Sequence, residues 1–208
     1  MRKGGVPVNK RYKLPEDQGA EGFVKYSVLP VLFDIVVALS VLFALFLIFF
    51  RVAVVEGSSM YDTLIHNDYV LLLNGAIAGD PEPGDIIVAS KSTYDNGTPI
   101  IKRVIATEGQ KVDINFEYGV VSVDGVVLDE PYIYSKTDDF EGVHFPLIVE
   151  EGCVFVLGDN RGVSKDSRSP EIGQIDRREI MGEALLILFP GVDPATGERD
   201  FSRIGAVS

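Results

Sequence analysis

From Ile35 to Phe50 the chain carries no charged residue, and its side chains are large: Ile-Val-Val-Ala-Leu-Ser-Val-Leu-Phe-Ala-Leu-Phe-Leu-Ile-Phe-Phe. Together with Ser27 to Phe33 the run covers residues 27–50, broken by one charge, Asp34. A helix needs about 20 apolar residues to cross about 30 Å of hydrocarbon, so the length suffices. An amphipathic helix packed on a core would keep a polar face, and this run has none. Asp34 stands near its start, where a carboxylate still reaches interfacial water. Pro30 is predicted in the first turn, where a missing N–H costs little. A cleaved secretory leader would be shorter and end in a small-residue site, whereas Arg51-Val-Ala-Val-Val-Glu56 runs on into strand-like sequence. The prediction is one uncleaved transmembrane anchor over residues 27–50.

The anchor divides the rest. Before it, residues 1–26 hold six basic and three acidic side chains, a net charge of +3, with Gly4, Gly5, Pro7 and Pro15. This reads as a mostly disordered tail. Only Arg51 follows the anchor closely, so the positive-inside rule puts the tail in the cytoplasm and the chain beyond residue 51 outside the cell. The total charge is −12, which leaves −15 beyond the tail, −1 from Asp34 in the anchor and −14 outside, an acidic solvated surface. That balance excludes a nucleic-acid binder, which would show a basic face. The single cysteine, Cys153, lies in Cys-Val-Phe-Val-Leu and reads as a small buried hydrophobe. With one cysteine and two separated histidines, His66 and His144, no metal ligand set is expected, and no cofactor.

After residue 51 the apolar period changes to two. Tyr69–Leu73, Asp85–Ala89, Ile100–Ala106, Lys111–Asn115, Gly119–Val123, Val126–Leu128 and Cys153–Leu157 are short β-branched runs separated by Gly, Pro, Asn and Asp turns. They predict a mainly β, antiparallel, sheet- or barrel-like domain over residues 51–190. Asp124-Gly125 between valines predicts a type I′ hairpin. Residues 135–150 are predicted as an exposed loop, Gly182–Phe189 as a closing strand, and residues 191–208 as a weakly structured tail.

Three segments carry possible chemistry. Val54 to Leu64 reads V-V-E-G-S-S-M-Y-D-T-L and offers two adjacent hydroxyls, Ser58 and Ser59. Serines in such loops usually cap backbone N–H groups or face water. Pro99-Ile-Ile-Lys-Arg-Val-Ile-Ala places Ile100, Lys102, Val104 and Ala106 on one strand face and Ile101, Arg103 and Ile105 on the other. Two readings stand: one cation points into apolar surroundings, where burial lowers a lysine pKa and makes a base, or both are gatekeepers on an edge strand. Leu157-Gly-Asp-Asn-Arg-Gly-Val-Ser-Lys-Asp-Ser-Arg168 ends a strand in a polar loop. It is either a solvated turn or a buried network of arginines and carboxylates.

Taken in order after an N-terminal anchor, G-S-S-M-Y-D-T-L, I-K-R-V-I and G-D-N-R-x-x-S-x-D-S-R resemble the bacterial type I signal peptidases, in the short Gram-positive form. The hairpin followed by Leu128-Asp-Glu-Pro-Tyr132 and the closing Ile180-Met-Gly-Glu-Ala belong to the same resemblance, which runs from about residue 30 to 190. It implies a membrane-bound endopeptidase with a Ser–Lys dyad that cuts signal peptides from preproteins after small residues, partnered by those peptides and the lipid bilayer. It implies Ser59 as nucleophile, ahead of Ser58, and Lys102 as general base. Ser164 would hydrogen-bond and orient the lysine, Asp166 and Arg168 would pair beneath the site, and Asp159 would support the same loop. Gly57 replaces a serine that helps the oxyanion hole in some members. Two more departures stand out: Asp62 where the family usually has proline, and Ala106-Thr-Glu-Gly-Gln110 where it has G-x-P-G-D. Asp62 keeps open a catalytically impaired anchored β domain that binds exported peptides or partners. A Ser–Lys autoprotease of the repressor-cleavage kind shares the dyad but has no need of an anchor.

Overall fold

The structure, a computed structural model, describes residues 20–207. The disordered tail expected over residues 1–26 falls mostly outside them. Helix α1 spans Ala20–Phe49. Its segment Val28–Phe49 is long and apolar enough to cross a membrane, about 33 Å at 1.5 Å per residue. The side chains of residues 28–49 are exposed throughout, as a lipid-facing helix requires. Two expectations shift. The helix begins upstream of residue 27, so Pro30 lies inside it rather than in its first turn. Proline is tolerated inside membrane helices because neighbouring groups satisfy the freed carbonyl.

The remainder is built from twelve strands: β1 (Phe50–Val54), β2 (Tyr69–Asn74), β3 (Ile86–Ser90), β4 (Pro99–Thr107), β5 (Lys111–Asn115), β6 (Val120–Val123), β7 (Val126–Val127), β8 (Leu147–Ile148), β9 (Cys153–Leu157), β10 (Ile175–Asp176), β11 (Ile180–Phe189) and β12 (Gly205–Ala206). The larger sheet runs β1-β2-β11-β3-β4-β9-β10, with β12 added to β11; the smaller runs β7-β6-β5-β8. Every pairing among these strands is antiparallel. The β-branched runs thus form the strands their pattern predicted. Asp124 and Gly125 both take positive φ, 52° and 80°, as a type I′ turn demands.

Alternation decides what each face buries. In β5, Val112 and Ile114 point inward between exposed neighbours. They join Val121 and Val123 of β6 against Ile105, Ala106, Phe155 and Leu157 of the larger sheet. A second cluster holds Val70, Leu72, Ile86, Val88 and Ala184 with Met60 and Leu64. A third, around Val104, Val154, Val156, Ile172 and Ile175, backs the other end. The strict alternation expected along β4 fails near its end. Ile105 and Ala106 enter one cluster because the register against β9 shifts between Val104 and Ala106.

Two further expectations are corrected. Residues 191–207 are not a loose tail: β12 pairs with Leu186 and Ile187, and Arg203 pairs with Asp68. The loop over residues 135–150 is exposed only in part, since Thr137 and Val149 are buried and Leu147–Ile148 form β8. Thr137 is drawn in by Arg161, and Val149 by the apolar cluster between the sheets.

Candidate active site

Ser59 and Lys102 come from elements that are not neighbours in the larger sheet, the β1–β2 turn and strand β4. Ser59 lies in the turn between β1 and β2, whose Met60 and Leu64 are buried in the Val70–Val88 cluster and so pin it to the sheet. Within the turn the Leu64 N–H donates to Met60 O at 2.8 Å. Gly57 enters it at φ +87°, a left-handed conformation that favours glycine. The Tyr61–Asp62 peptide is cis. Lys102 lies on β4, opposite Ile87 of β3. Its Nζ donates to Ser59 Oγ at 2.8 Å and to Ile101 O at 2.8 Å. Ser58, the competing hydroxyl, is exposed, and Lys102 turns to Ser59.

Both cations of β4 are buried, Lys102 at 5% and Arg103 at 3% exposure, and each finds a different solution. Arg103 is neutralised: Nε and Nη2 meet Asp159 Oδ1 and Oδ2 at 2.9 and 2.7 Å. Among the described residues no carboxylate forms an ion pair with Lys102. Burial therefore lowers its pKa to about 8, against the opposing pull of Asp166, Asp159 and Glu141. A buried lysine near neutrality with a serine hydroxyl in contact is the composition of an activated nucleophile.

The loop after β9 supplies the supports. Asp159 also accepts from Thr63 Oγ1 at 2.6 Å, so one fully buried carboxylate joins the strand of Lys102 to the turn of Ser59. Asn160 clamps the turn's backbone, its N–H donating to Ser59 O at 3.0 Å and its Nδ2 to Ser58 O at 3.2 Å. Asp166 and Arg168 form the expected pair, bidentate at 2.9 and 2.9 Å, with the Gly158 N–H on Asp166 at 3.1 Å. Arg168 also meets Glu141 at 3.1 Å. Burial and nearby Asp166 push the Glu141 carboxyl up. Of the two readings of this loop, the buried network is the one found.

Ser164 departs from expectation. It is buried, but its Oγ makes no hydrogen bond among the described residues, because the lysine amine is already turned to Ser59 and Ile101. It packs instead over Gly158, where a Cβ would stand 2.1 Å from Ser164 Oγ and 2.5 Å from Ser59 O.

Several site residues had no assigned role in the sequence. Arg161, fully buried, donates to Gly158 O at 2.9 Å and pairs with Glu130 at 2.6 Å. Arg103 stacks on Tyr132 with 4.1 Å from guanidinium carbon to ring centre. Burial first, then Glu130, pushes the Tyr132 hydroxyl pKa up. Leu128-Asp-Glu-Pro-Tyr132 was the available signal: a carboxylate and an aromatic beside a proline leaving a sheet. His66 accepts the Gly57 N–H at 3.3 Å.

A groove of about 540 Å³ is lined by Ala53, Val55, Val70, Val88 and Ile101 beside Ser59 and Lys102. A smaller hollow of about 200 Å³ beside Arg177 and Glu183 contains neither. No group of metal-ligating side chains occurs among the described residues.

Residues 28–189 match the sequence model of the family described as signal peptidase, peptidase S26. The signal peptidase I of Bacillus amyloliquefaciens is 34% identical over 165 residues, covering 75% of this chain and 81% of that protein. Signal peptidase I T of Bacillus subtilis is 32% identical over 165 residues, covering 74% and 82%. Signal peptidase IB of Staphylococcus aureus (strain COL) is 30% identical over 183 residues, covering 80% and 92%. Fold, site and relatives define a hydrolase of the serine peptidase class. The chain belongs to the signal peptidase family, peptidase S26.

Proposed function

We propose that this chain is a membrane-anchored endopeptidase that removes N-terminal signal peptides from exported preproteins, with Ser59 as nucleophile and Lys102 as general base. The observation that carries the reading is the 2.8 Å contact between Ser59 Oγ and a buried Lys102 Nζ that has no counter-ion among the described residues. As the free amine, Lys102 accepts the hydroxyl proton in that same geometry. Ser59 Oγ then bonds to the scissile carbonyl carbon, and the carbonyl π pair moves onto oxygen. The Ser59 N–H, which donates to no other group among the described residues, is the oxyanion donor we assign. Collapse breaks the C–N bond, the Lys102 ammonium returns its proton to the leaving amine, and an ester remains on Ser59. Water, deprotonated by the same lysine, cleaves that ester and restores the hydroxyl. The groove's small and β-branched walls suit an extended peptide with small side chains at the cut, of the A-x-A kind.

The remaining assignments follow. Asp159, Asp166 and Arg168 hold the loop beneath the site, and Gly57 gives the nucleophile turn its entry. Helix α1 crosses the membrane once, with residues 1–26 in the cytoplasm and the β domain outside, where a substrate's apolar leader is held at the same interface.

The test is cleavage of a peptide carrying an A-x-A site by the purified full chain. A cut after the second alanine is expected, abolished in Ser59→Ala and in Lys102→Met with the fold intact by circular dichroism. Cleavage retained in either variant would overturn the assignment.

A further inference from the structure

The turn that carries Ser59 is held from two sides. The loop after β9 grips it at Ser59 O and at the Thr63 hydroxyl. The second grip comes from residues 191–207, which lie beyond the span matched by the family's sequence model. We propose that Arg203 is a positioning residue for the nucleophile turn, acting from a C-terminal strap; the proposal rests on the reading of Ser59 as the nucleophile.

Arg203 closes a short 3-10 turn, Phe201–Arg203, capped by Asp200, which accepts the Ser202 N–H at 2.8 Å. Its guanidinium reaches two groups. Nη1 and Nη2 meet Asp68 Oδ1 and Oδ2 at 3.0 and 2.9 Å, and Nη2 also donates to Thr63 O at 3.0 Å. Asp68 is fully buried, and among the described residues Arg203 is its only ion-pair partner. The same carboxylate accepts the Ile65 N–H at 2.9 Å, at the end of the nucleophile turn, and the Gly191 N–H at 2.6 Å, at the start of the strap. One fork thus gathers the turn and both ends of the strap onto a single buried charge.

The strap has its own anchorage. β12 pairs with β11, and the Val207 N–H donates to Leu185 O at 3.0 Å. Val207 packs against the apolar cluster that contains Met60 and Leu64. Nearer its start, Asp193 accepts from Tyr61 Oη at 3.2 Å, a third hold on the turn. Thr63 is therefore fixed at its hydroxyl by Asp159 and at its carbonyl by Arg203. Loss of the second hold frees the turn to swing about the first, and reacting atoms displaced by about 1 Å lose on the order of 100-fold in rate. A lysine at this position would supply the charge for Asp68 but lack the planar fork that spans carboxylate and carbonyl together.

The test uses the full chain in detergent with R203K and R203A, and reads three quantities: amide exchange by mass spectrometry, steady-state cleavage of the A-x-A peptide, and Tm. For R203K we expect Tm near that of the parent protein. Exchange over residues 60–65 should rise about tenfold or more, with β4 and β9 unchanged. kcat should fall about tenfold or more with KM within about twofold. R203K with parental exchange and parental kcat overturns the proposal, as does exchange that rises equally in β2, β3 and β4. Should R203A fail to fold, R203K decides alone. A parent protein that cleaves nothing removes the functional reading, while the exchange pattern still judges the strap.

Discussion

Lys102 and Arg103 are neighbours on one strand, both buried, and among the described residues only the arginine has a counter-ion. Arg103 cannot give up its proton in a protein, so Asp159 must meet it. Lys102 can, and the absence of an ion pair leaves it free to do so. On the proposed reading, the two side chains divide the work of structure and proton transfer between adjacent positions.

Asp159→Asn tests the structural half. It leaves a buried guanidinium without its charge partner, which costs roughly 3–5 kcal/mol. For a chain of this size that lowers Tm by about 10 °C, read by thermal denaturation. Cleavage should fall further than the lost stability explains, because the Thr63 hydroxyl loses its carboxylate acceptor, one of the two holds on that residue.

The pH dependence tests the other half. With a Lys102 pKa of about 8, the logarithm of kcat/KM should rise with unit slope below pH 8 and level off above it. Stability follows with a definite sign. The folded-state pKa lies below the unfolded one, so between about pH 8 and the ordinary lysine range the unfolded chain binds more protons. Stability from this group therefore rises with pH across that window and is lowest below it. Lys102→Met should abolish activity yet raise stability at pH 7, by at most about 3 kcal/mol. A flat rate profile from pH 6 to 10 would count against the lysine as base.

Gly158→Ala should be severe for a reason of space. Its Cβ would fall 2.5 Å from Ser59 O and 2.1 Å from Ser164 Oγ, so both must move. A loss of about 100-fold in kcat is expected, with a stability cost of roughly 1–3 kcal/mol.

Asp62→Ala should do little. The side chain is exposed, and exposed positions without special contacts change stability by about 0.5 kcal/mol at most. Activity within about threefold of the parent protein is expected in the peptide assay. A large gain would revive the impaired-domain reading, with Asp62 as the cause.

Much of this was legible before the structure. Short β-branched runs between turn residues located β2 to β7, β9 and β11: β5 and β6 bury one face and alternate, whereas β3 and β9 are buried on both faces and read as continuous apolar runs. Ser59, Lys102 and the Asp166–Arg168 pair sit on residues whose order along the chain carried the resemblance. What stayed hidden depends on partners distant in sequence. Asp68 is one acidic residue before a strand until Arg203 meets it across the fold, and Arg161 is one loop arginine until Glu130 does. The two-residue strands β8, β10 and β12 exist only because a neighbour offers its edge, which no local pattern records. Ser164 shows the opposite limit: the right residue stood at the right position, but the bond expected of it is not made.

The order of strands in the larger sheet sets a timetable. β2 follows the turn of Ser59, β3 leads into the strand of Lys102, and the strand seated between β2 and β3 is β11, Ile180–Phe189. A chain still being synthesised can hold both reactive residues for most of its length without a scaffold to bring them together. The strand that bridges the two is the eleventh of the twelve described, so on the proposed reading a chain that lacks it holds the serine and the lysine without an assembled site.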